Sequence, residues 1–149
     1  MARRTAKSKA WEWCSKYIRM RDAVEYHKNH PEQDFGWVEC CTCGRLIRAF
    51  KNCDAGHWIE RGRGGMSGVY FDERNIHAQC KNCNGGFYAG KNIRAEVDKS
   101  YDQFMLRKYG QEVIDQLNWL DKNQSYRGKI RAIGEMYKEM YNDIQKRHT

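Results

Sequence analysis

Apolar side chains in the first thirty residues recur at helical spacing. They are Trp11, Cys14, Ile18 and Val24, with Trp13, Tyr17 and Met20 beside them. This spacing predicts a helix over about residues 7–28. Pro31 lies just beyond it, and a proline there ends a helix because its ring cannot continue the hydrogen-bond ladder.

The chain from Asn92 onward is expected to be helical, because three apolar stripes follow one another there. The first is Ile93, Val97, Tyr101, Phe104 and Met105 and ends near Gly110; the second is Val113, Ile114, Leu117 and Leu120; the third is Ile130, Ile133, Tyr137, Met140 and Ile144. The third steps 3-4-3-4, like a short coiled-coil seam. Packing on the protein's own core is favoured for this seam over dimerisation.

The middle of the chain has short β-like stretches in place of helical periodicity. Residues 35–60 are expected to form short strands, and residues 61–69 a glycine-rich flexible loop. Val69-Tyr70-Phe71 is expected to form a second strand, and Arg74 to Cys80 leads into a cysteine pair. The predicted class is α+β, with a basic N-terminal helical arm (1–34), a core (35–92) and a C-terminal helical region (93–149).

Two Cys-x-x-Cys pairs are the strongest chemical signal in the chain. They are Cys40-Cys41-Thr42-Cys43 and Cys80-Lys81-Asn82-Cys83. Because Zn²⁺ prefers four thiolates in a tetrahedron, Cys40, Cys43, Cys80 and Cys83 are predicted to hold one structural zinc ion. Cys41 is the alternative to Cys40, but the two-residue spacing is the commoner geometry.

The distribution of charge indicates a polyanionic partner. The net charge is +8, and residues 1–21 hold seven Lys and Arg against one acid, Glu12. A basic segment of this kind suits nucleic acid, whose phosphates release counterions on binding; a solubilising tail is the alternative. The seven cysteines, an odd number, and the absence of an apolar signal region argue against disulfides. No stretch is long and apolar enough to span a membrane, so a soluble intracellular protein is expected.

Three side chains near the cysteines have the chemistry needed to hydrolyse a phosphodiester. His57 ends a strand-like segment, Asn75 lies before the second cysteine pair, and Asn84 follows Cys83 directly. Hydrolysis needs a base that activates water and oxygen ligands that hold a divalent cation open to substrate. The arrangement therefore points to a small metal-dependent nuclease.

The same residues carry a family resemblance. Asp54-Ala55-Gly56-His57, followed by the segment from Phe71 to Asn84 with its Asn75-x-His77 and Cys80-x-x-Cys83-Asn84, resembles the NinG (Rap) recombination proteins of lambdoid phages. That group belongs to the His-Me finger, or HNH, nucleases. The resemblance is strong over residues 37–92 and weaker towards the C-terminus. It implies a zinc-stabilised ββα-metal core with helical extensions at both ends.

The resemblance also implies a role for each of these residues. His57 would be the general base, its neutral imidazole taking a proton from water. Asn84 would bind the catalytic ion, and its neutral oxygen favours Mg²⁺ or Mn²⁺ over a second zinc; a helix-capping role is compatible with this. Asn75 would orient His57 by holding the backbone of the loop.

One position departs from the family pattern. Many members have a carboxylate or histidine directly before the base, whereas this chain has Gly56. The nearest acid is Asp54, which on a regular strand faces away from His57 because side chains alternate. Asp54 is expected to bind the catalytic ion only if Gly56 allows a bulge; otherwise it has a structural hydrogen-bonding role.

Several other residues are candidate DNA contacts. They are Arg61, Arg63, His77, Lys81 and Lys91. Arginines between glycines beside the base can follow a phosphate backbone, although the loop could also be idle. His77 could contact a phosphate or simply pack inside the protein.

The expected function is a metal-dependent endonuclease that cuts branched DNA such as D-loops and Holliday junctions, as the resemblance implies. The expected partners are DNA and, since two strands must be cut symmetrically, a second copy of the chain; no membrane partner is expected. If the chain is phage-encoded, it would act in the cytoplasm of the bacterial host. The alternatives are a non-catalytic zinc module that binds DNA and an enzyme that nicks RNA or ordinary duplex.

Overall fold

The computed structural model describes residues 4–60, 66–85 and 91–148. In chain order the elements are α1 (Ala6–Asn29), β1 (Val38–Glu39), β2 (Leu46–Ile47), β3 (Asp54–His57), β4 (Ile76–Gln79), α2 (Lys81–Gly85), α3 (Lys91–Tyr109), α4 (Gln111–Asn123) and α5 (Ile130–Arg147). None of the helices in these ranges is both long and apolar enough to cross a lipid bilayer.

The first helix is longer than predicted by a residue at each end, and it lies at the centre of the fold. The Thr5 hydroxyl caps its first turn by accepting from the Ser8 amide at 3.1 Å, which satisfies a donor that has no partner within the helix. Its buried face, with Ala10, Cys14 and Ile18, shares one hydrophobic cluster with residues of the middle and the end of the chain. The segment expected to be an arm therefore packs as part of the core.

Two short antiparallel ribbons form the middle of the chain. In the first, Val38 pairs with Ile47 and Glu39 with Leu46, so the first cysteine pair lies in the connection between β1 and β2. In the second, β3 and β4 pair without interruption from Asp54↔Gln79 to His57↔Ile76. A hydrogen bond of 3.0 Å from the Cys41 amide to the Ala78 carbonyl joins the two ribbons.

The prediction of a strand at Val69–Phe71 is wrong, because these residues form a turn. Their three carbonyl oxygens lie within hydrogen-bonding distance of side chains outside the turn. Val69 accepts from Asn75 at 3.1 Å, Tyr70 lies 2.8 Å from Nε2 of His57, and Phe71 accepts from Tyr137. With these carbonyls engaged, β3 pairs with Ile76–Gln79, the stretch expected only to lead into the cysteines.

The three C-terminal helices agree with the predicted stripes. Tyr101 and Met105 of α3 and Leu117 of α4 surround Val69 in a second hydrophobic cluster. Tyr137 of α5 is buried in the first cluster, where Ile130, Ile133 and Met140 pack around it. The seam on α5 thus packs on the core of the same chain, next to a close crossing at which a Cβ on Gly134 would lie 3.3 Å from Cα of Ala10.

Candidate functional site

The four predicted cysteines come together. The Sγ atoms of Cys40, Cys43, Cys80 and Cys83 all lie within 4.8 Å of one another. Those of Cys43 and Cys80 are 3.8 Å apart, which is the edge expected of a tetrahedron with zinc–sulfur bonds of about 2.3 Å, roughly 3.8 Å. The cluster could therefore hold a structural zinc ion, as predicted.

Cys40 and Cys41 also have different surroundings, which decides between them as zinc ligands. Cys40 is buried within the four-sulfur cluster, whereas Cys41 packs beside the cluster that contains Tyr101. Burial would raise the pKa of the Cys40 thiol, but hydrogen bonds from the Thr42 side chain and nearby backbone amides lower it to about 7. Donors that favour a thiolate are typical surroundings of a metal-binding sulfur.

The sulfur cluster fixes the position of Asn84. Helix α2 is only five residues long and contains Cys83, and the Asn84 amide donates to the Cys80 carbonyl at 3.0 Å. So short a helix has little stability of its own. A zinc ion on Cys80 and Cys83 would therefore hold Asn84 against the second ribbon.

Asp54 and Asn84 meet at the edge of β3. Nδ2 of Asn84 donates to Oδ2 of Asp54 at 3.1 Å, and Nζ of Lys81 donates to Oδ1 of the same carboxylate at 2.9 Å. The uninterrupted β3–β4 register has no bulge, so the bulge on which ion binding by Asp54 was expected to depend is absent. Asp54 accepts the hydrogen bonds expected of its structural role, and ion binding by Asp54 stays a prediction. Residues 54 and 56 share a face of the strand, so Asp54 lies on the same side as the position directly before the base.

Gly56 is required by a neighbouring side chain. A Cβ at this position would lie 1.7 Å from Oε1 of Gln79 and 3.0 Å from Oδ1 of Asn84. Gln79 is only 2% exposed and donates from Nε2 to the Thr42 hydroxyl at 3.1 Å. The space that a carboxylate would take at position 56 is thus filled by the Gln79 amide.

A cavity of about 220 Å³ opens beside Asp54 and Asn84. Its wall is formed by α1, the segment before β3, β3 itself and α2, with Trp11, Ser15, Arg19, Lys51, Cys53, Asp54, Ala55, Lys81 and Asn84 as the lining residues. Three cations and one carboxylate give it a positive balance. A cavity with this lining suits an anionic ligand such as a phosphate.

His57 lies on the opposite face of the strand, towards α1. Its Nε2 is 2.8 Å from the Tyr70 carbonyl oxygen, and because a carbonyl only accepts, Nε2 carries the proton. In the neutral ring the lone pair is then on Nδ1. The imidazole stacks on the indole of Trp11, with ring centres 4.7 Å apart and planes 25° apart, and so contacts a residue of the cavity wall.

Asn75 ties together both sides of the connection between β3 and the turn at Val69. It is fully buried, and its Nδ2 donates to the carbonyls of Ile59 at 2.9 Å and Val69 at 3.1 Å. Its Oδ1 accepts from the Ile59 amide at 2.8 Å. The Asn75 side chain therefore fixes the backbone next to the Tyr70 carbonyl that holds His57.

His77 packs inside the protein, which was the second of the two expectations for it. It is 1% exposed, its Nε2 is 2.7 Å from the Tyr109 hydroxyl, and its ring packs edge-on against Phe104 with centres 4.8 Å apart. Burial, together with the charges of Arg21 and Lys108, lowers its pKa well below the usual range. A neutral histidine enclosed in this way does not fit a phosphate contact.

Lys81 is the remaining candidate DNA contact whose side chain is described, and it is 70% exposed at the cavity mouth. Arg61 and Arg63 lie outside the described residues. Lys91 is the first residue of α3, but its side chain is not among those that the structure describes. These three stay predictions from the sequence.

Some residues of this region were not singled out from the sequence. Trp11 was counted only in an apolar helical stripe, and Arg19 only in a basic segment, yet both line the cavity. No pattern in the sequence pointed to a site role for Lys51 or for the Tyr70 carbonyl. Their positions follow from the packing of α1 across β3, which the local pattern of α1 does not encode.

A larger cavity of about 420 Å³ lies between α1, β1 and α3. Its wall includes His77 and the ion pair in which Lys108 donates to Glu25 at 2.7 Å. His57, Asp54 and Asn84 are absent from its described lining. The smaller cavity is the candidate site because it brings together a carboxylate, an amide and unbalanced positive charge.

Comparison with known proteins identifies the relatives of this chain. The family model described as "Bacteriophage Lambda NinG protein" matches residues 3–148. Protein ninG of Escherichia phage 933W and that of Enterobacteria phage VT2-Sa are each 30% identical over 111 residues, which cover 72% of this chain and 49% of the relative. Protein ninG of Escherichia phage lambda is 29% identical over 111 residues, covering 72% of this chain and 48% of the relative.

This chain spans about half the length of those relatives. No solved structure matches it. The family model covers nearly all of the chain, including the cysteines, Asp54, His57 and Asn84. The chain therefore belongs to the NinG family of bacteriophage proteins.

Proposed function

We propose that this protein is a metal-dependent DNA endonuclease of the HNH type. The observation that carries the proposal is the meeting of Asp54 and Asn84 at a positively charged cavity, one wall of which contacts an oriented histidine. Two strands followed by a short helix, with the histidine ending the first strand, also agree with the ββα-metal arrangement that the sequence resembles.

In this proposal His57 is the general base. The Tyr70 carbonyl holds the proton on Nε2, so Nδ1 is the nitrogen that accepts a proton from the attacking water. Proton transfer to a positioned imidazole contributes on the order of 10²–10⁴ to a rate. Asn75 supports this geometry from behind, because it fixes the Val69 carbonyl next to Tyr70.

Asp54 and Asn84 supply the donors for the catalytic ion. A carboxylate and an amide oxygen are ligands that Mg²⁺ and Mn²⁺ accept, and Mg²⁺ usually completes its shell with waters and substrate phosphates. The donor set therefore fits such an ion, which when bound would neutralise charge on the scissile phosphate. Arg19, Lys51 and Lys81 line the same cavity, and their charges favour entry of the DNA backbone.

The choice of branched DNA as substrate rests on the family resemblance. D-loops and four-way junctions are the structures expected for a nuclease of recombination, and a homodimer would allow two symmetrical cuts. The basic first 21 residues and the loop at Arg61 and Arg63 would follow the DNA backbone. The site of action would be the cytoplasm of the bacterial host.

The proposal is tested with a cleavage panel of single strand, duplex, splayed arm and four-way junction, each in Mg²⁺, Mn²⁺ and EDTA. We expect cleavage only with a divalent ion and most strongly on a branched substrate. Asp54→Asn keeps the shape of the side chain but removes its charge, and it should lower the rate strongly. Asp115→Asn, on the exposed side of α4, is the matched control and should cleave like the wild type. No cleavage of any substrate with any ion would contradict the proposal.

A non-catalytic zinc module that binds DNA is the second candidate. It is favoured by the two hydrogen bonds that Asp54 already accepts, from Lys81 and Asn84, because a carboxylate neutralised in this way can be purely structural. Such a module would bind the branched substrates with equal affinity in the wild type and in Asp54→Asn, and neither protein would cut them.

A further inference from the structure

The face of the His57 imidazole is covered by aromatic rings. Its centre is 4.7 Å from that of Trp11 and 4.4 Å from that of Tyr70, and Trp11 and Tyr70 are themselves 5.5 Å apart. Each of the three rings thus contacts the other two. Offset and tilted contacts at these separations are the favourable arrangement for aromatic side chains.

The ring contacts and the hydrogen bond to the Tyr70 carbonyl together restrain the His57 imidazole. The bond from Nε2 to the Tyr70 carbonyl fixes one atom of the ring, but the ring can still turn about that contact, because the outer torsion of histidine is only weakly restricted. The Trp11 indole lies within 25° of parallel to the imidazole and so restrains the plane of the ring. The direction in which Nδ1 points is set by both partners together.

Trp11 packs against the first hydrophobic cluster. It lies in the second turn of α1, between the Thr5 cap and Cys14, which is fully buried. Its neighbour Ala10 is 1% exposed and meets Gly134 of α5 at the close helix crossing. The indole on the central helix α1 thus packs against a histidine on a strand that is only four residues long.

Trp11 also borders the cavity that contains Asp54 and Asn84. The indole is therefore in contact with the proposed base on one side and with the space for the phosphate on the other. We infer that Trp11 is a positioning residue, which sets the orientation of the His57 imidazole relative to that cavity. The inference rests on the proposed nuclease function and makes α1 part of the catalytic centre.

The test compares Trp11→Leu with Trp13→Leu. Trp13 is the matched control because it lies on the same helix, is also half-buried, and contacts Tyr141 of α5. We expect Trp11→Leu to lower the single-turnover cleavage rate by about 10- to 100-fold, since displacing a reacting group by about 1 Å can reduce a rate some 10²-fold. The loss of DNA affinity, measured separately, should be smaller than the loss of rate. Trp11→Phe, which keeps a ring, should restore most of the rate.

Nuclear magnetic resonance supplies a readout that does not depend on cleavage. The indole ring current should shift the carbon-bound proton resonances of His57 upfield in the wild type and in Trp13→Leu. That shift should be lost in Trp11→Leu. If Trp11→Leu melts at a lower temperature than Trp13→Leu, Trp11→Met repeats the test with a larger side chain that has no ring.

A Trp11→Leu protein that cleaves within twofold of the wild type, or whose His57 resonances are unchanged, would overturn the inference and leave the proposed function intact. An inactive wild type would overturn the proposed function and this inference with it.

Discussion

The two faces of the β3–β4 ribbon carry one histidine each, and the two histidines have different surroundings. His57 is half-buried, is oriented by the Tyr70 carbonyl and lies next to a cavity wall. His77 is enclosed by Tyr101, Phe104 and Tyr109 of α3. The imidazole on the α1 side of the ribbon thus stays partly exposed, whereas the one on the α3 side is almost fully buried.

Residue type alone therefore does not decide whether a histidine stays accessible. Both were candidate site residues from the sequence, His57 as the general base and His77 as a phosphate contact. What differs is the covering helix: α3 presents three aromatic rings to His77, which is 1% exposed. On the other face, α1 presents one indole and leaves room beside it.

The largest expected effect comes from removing one of the four cysteines that could hold a structural zinc ion. Cys80→Ser should leave the second ribbon unfolded, because zinc in such sites contributes roughly 10–16 kcal/mol. Zinc per chain, measured by elemental analysis, should be near one in the wild type and near zero in the variant, and thermal denaturation should show loss of the cooperative transition.

Cys41→Ala is the control for that experiment, since Cys41 packs outside the four-sulfur cluster. It should keep its zinc and its melting transition. A Cys80→Ser protein that stays folded without zinc would contradict the assignment of the four cysteines as a structural zinc site.

The next largest effect is expected at the contact between Gly56 and Gln79. Gly56→Ala should destabilise the protein by about 1–3 kcal/mol, because the new methyl overlaps a buried and hydrogen-bonded amide. Chemical denaturation measures the change. Gly85→Ala, where a Cβ would meet no described atom within 4 Å, is the matched control. The double variant Gly56→Ala/Gln79→Ala should recover part of the loss, and additive losses would show that the two residues do not interact.

A smaller effect is expected on how the stability of the protein depends on pH, through the buried His77. The pKa of His77 is lowered by its burial and by Arg21 and Lys108, so below the unfolded value of about 6.5 the unfolded chain binds a proton that the folded chain does not. Stability should therefore fall as pH falls below about 6.5, by at most about 1.4 kcal/mol per pH unit from this group.

Melting temperatures at pH 7.5, 6.5 and 5.5, in saturating zinc, check this expectation. His77→Gln keeps a hydrogen-bonding partner for Tyr109 but cannot be protonated, so its melting temperature should depend less on pH. Equal pH dependence in the two proteins would show that His77 is not sealed as described.

The smallest effect is expected for Lys81, at the cavity mouth. Lys81→Gln removes an ion pair whose lysine is 70% exposed, and such surface pairs contribute about 0–1 kcal/mol. Stability should therefore hardly change. If Lys81 meets a DNA phosphate, the slope of log affinity against log salt should fall by about 0.9. An unchanged slope in fluorescence anisotropy would remove Lys81 from the DNA-binding surface.

The sequence predicted the parts of this fold that depend on local spacing. The helical stripes, the pairing of the cysteines, and the preference for Cys40 over Cys41 all follow from short-range patterns, and the structure agrees with them. The prediction of a strand at Val69–Phe71 was wrong, because side chains of Asn75, His57 and Tyr137 engage the carbonyls of these residues. Two of those three partners are at least thirteen residues away, beyond the range of a local pattern.

The candidate site was predictable as a set of residues but not as an arrangement. Asp54 and Asn84 were both candidates, yet their meeting depends on the regular register of β3 with β4 and on the cysteine-anchored helix α2. Trp11 could not be found from the sequence, because an indole in an amphipathic helix is normally core. Only the path of α1 across β3 brings it to His57.

The most direct test of the account is the single-turnover cleavage rate of His57→Ala on the best branched substrate, in Mg²⁺, with DNA affinity measured under the same conditions. His148→Ala, an exposed histidine at the end of the described chain, serves as control. The account predicts a rate lower by about 10²–10⁴ for His57→Ala, with DNA affinity and zinc content unchanged. A His57→Ala protein that cuts at the wild-type rate would contradict it.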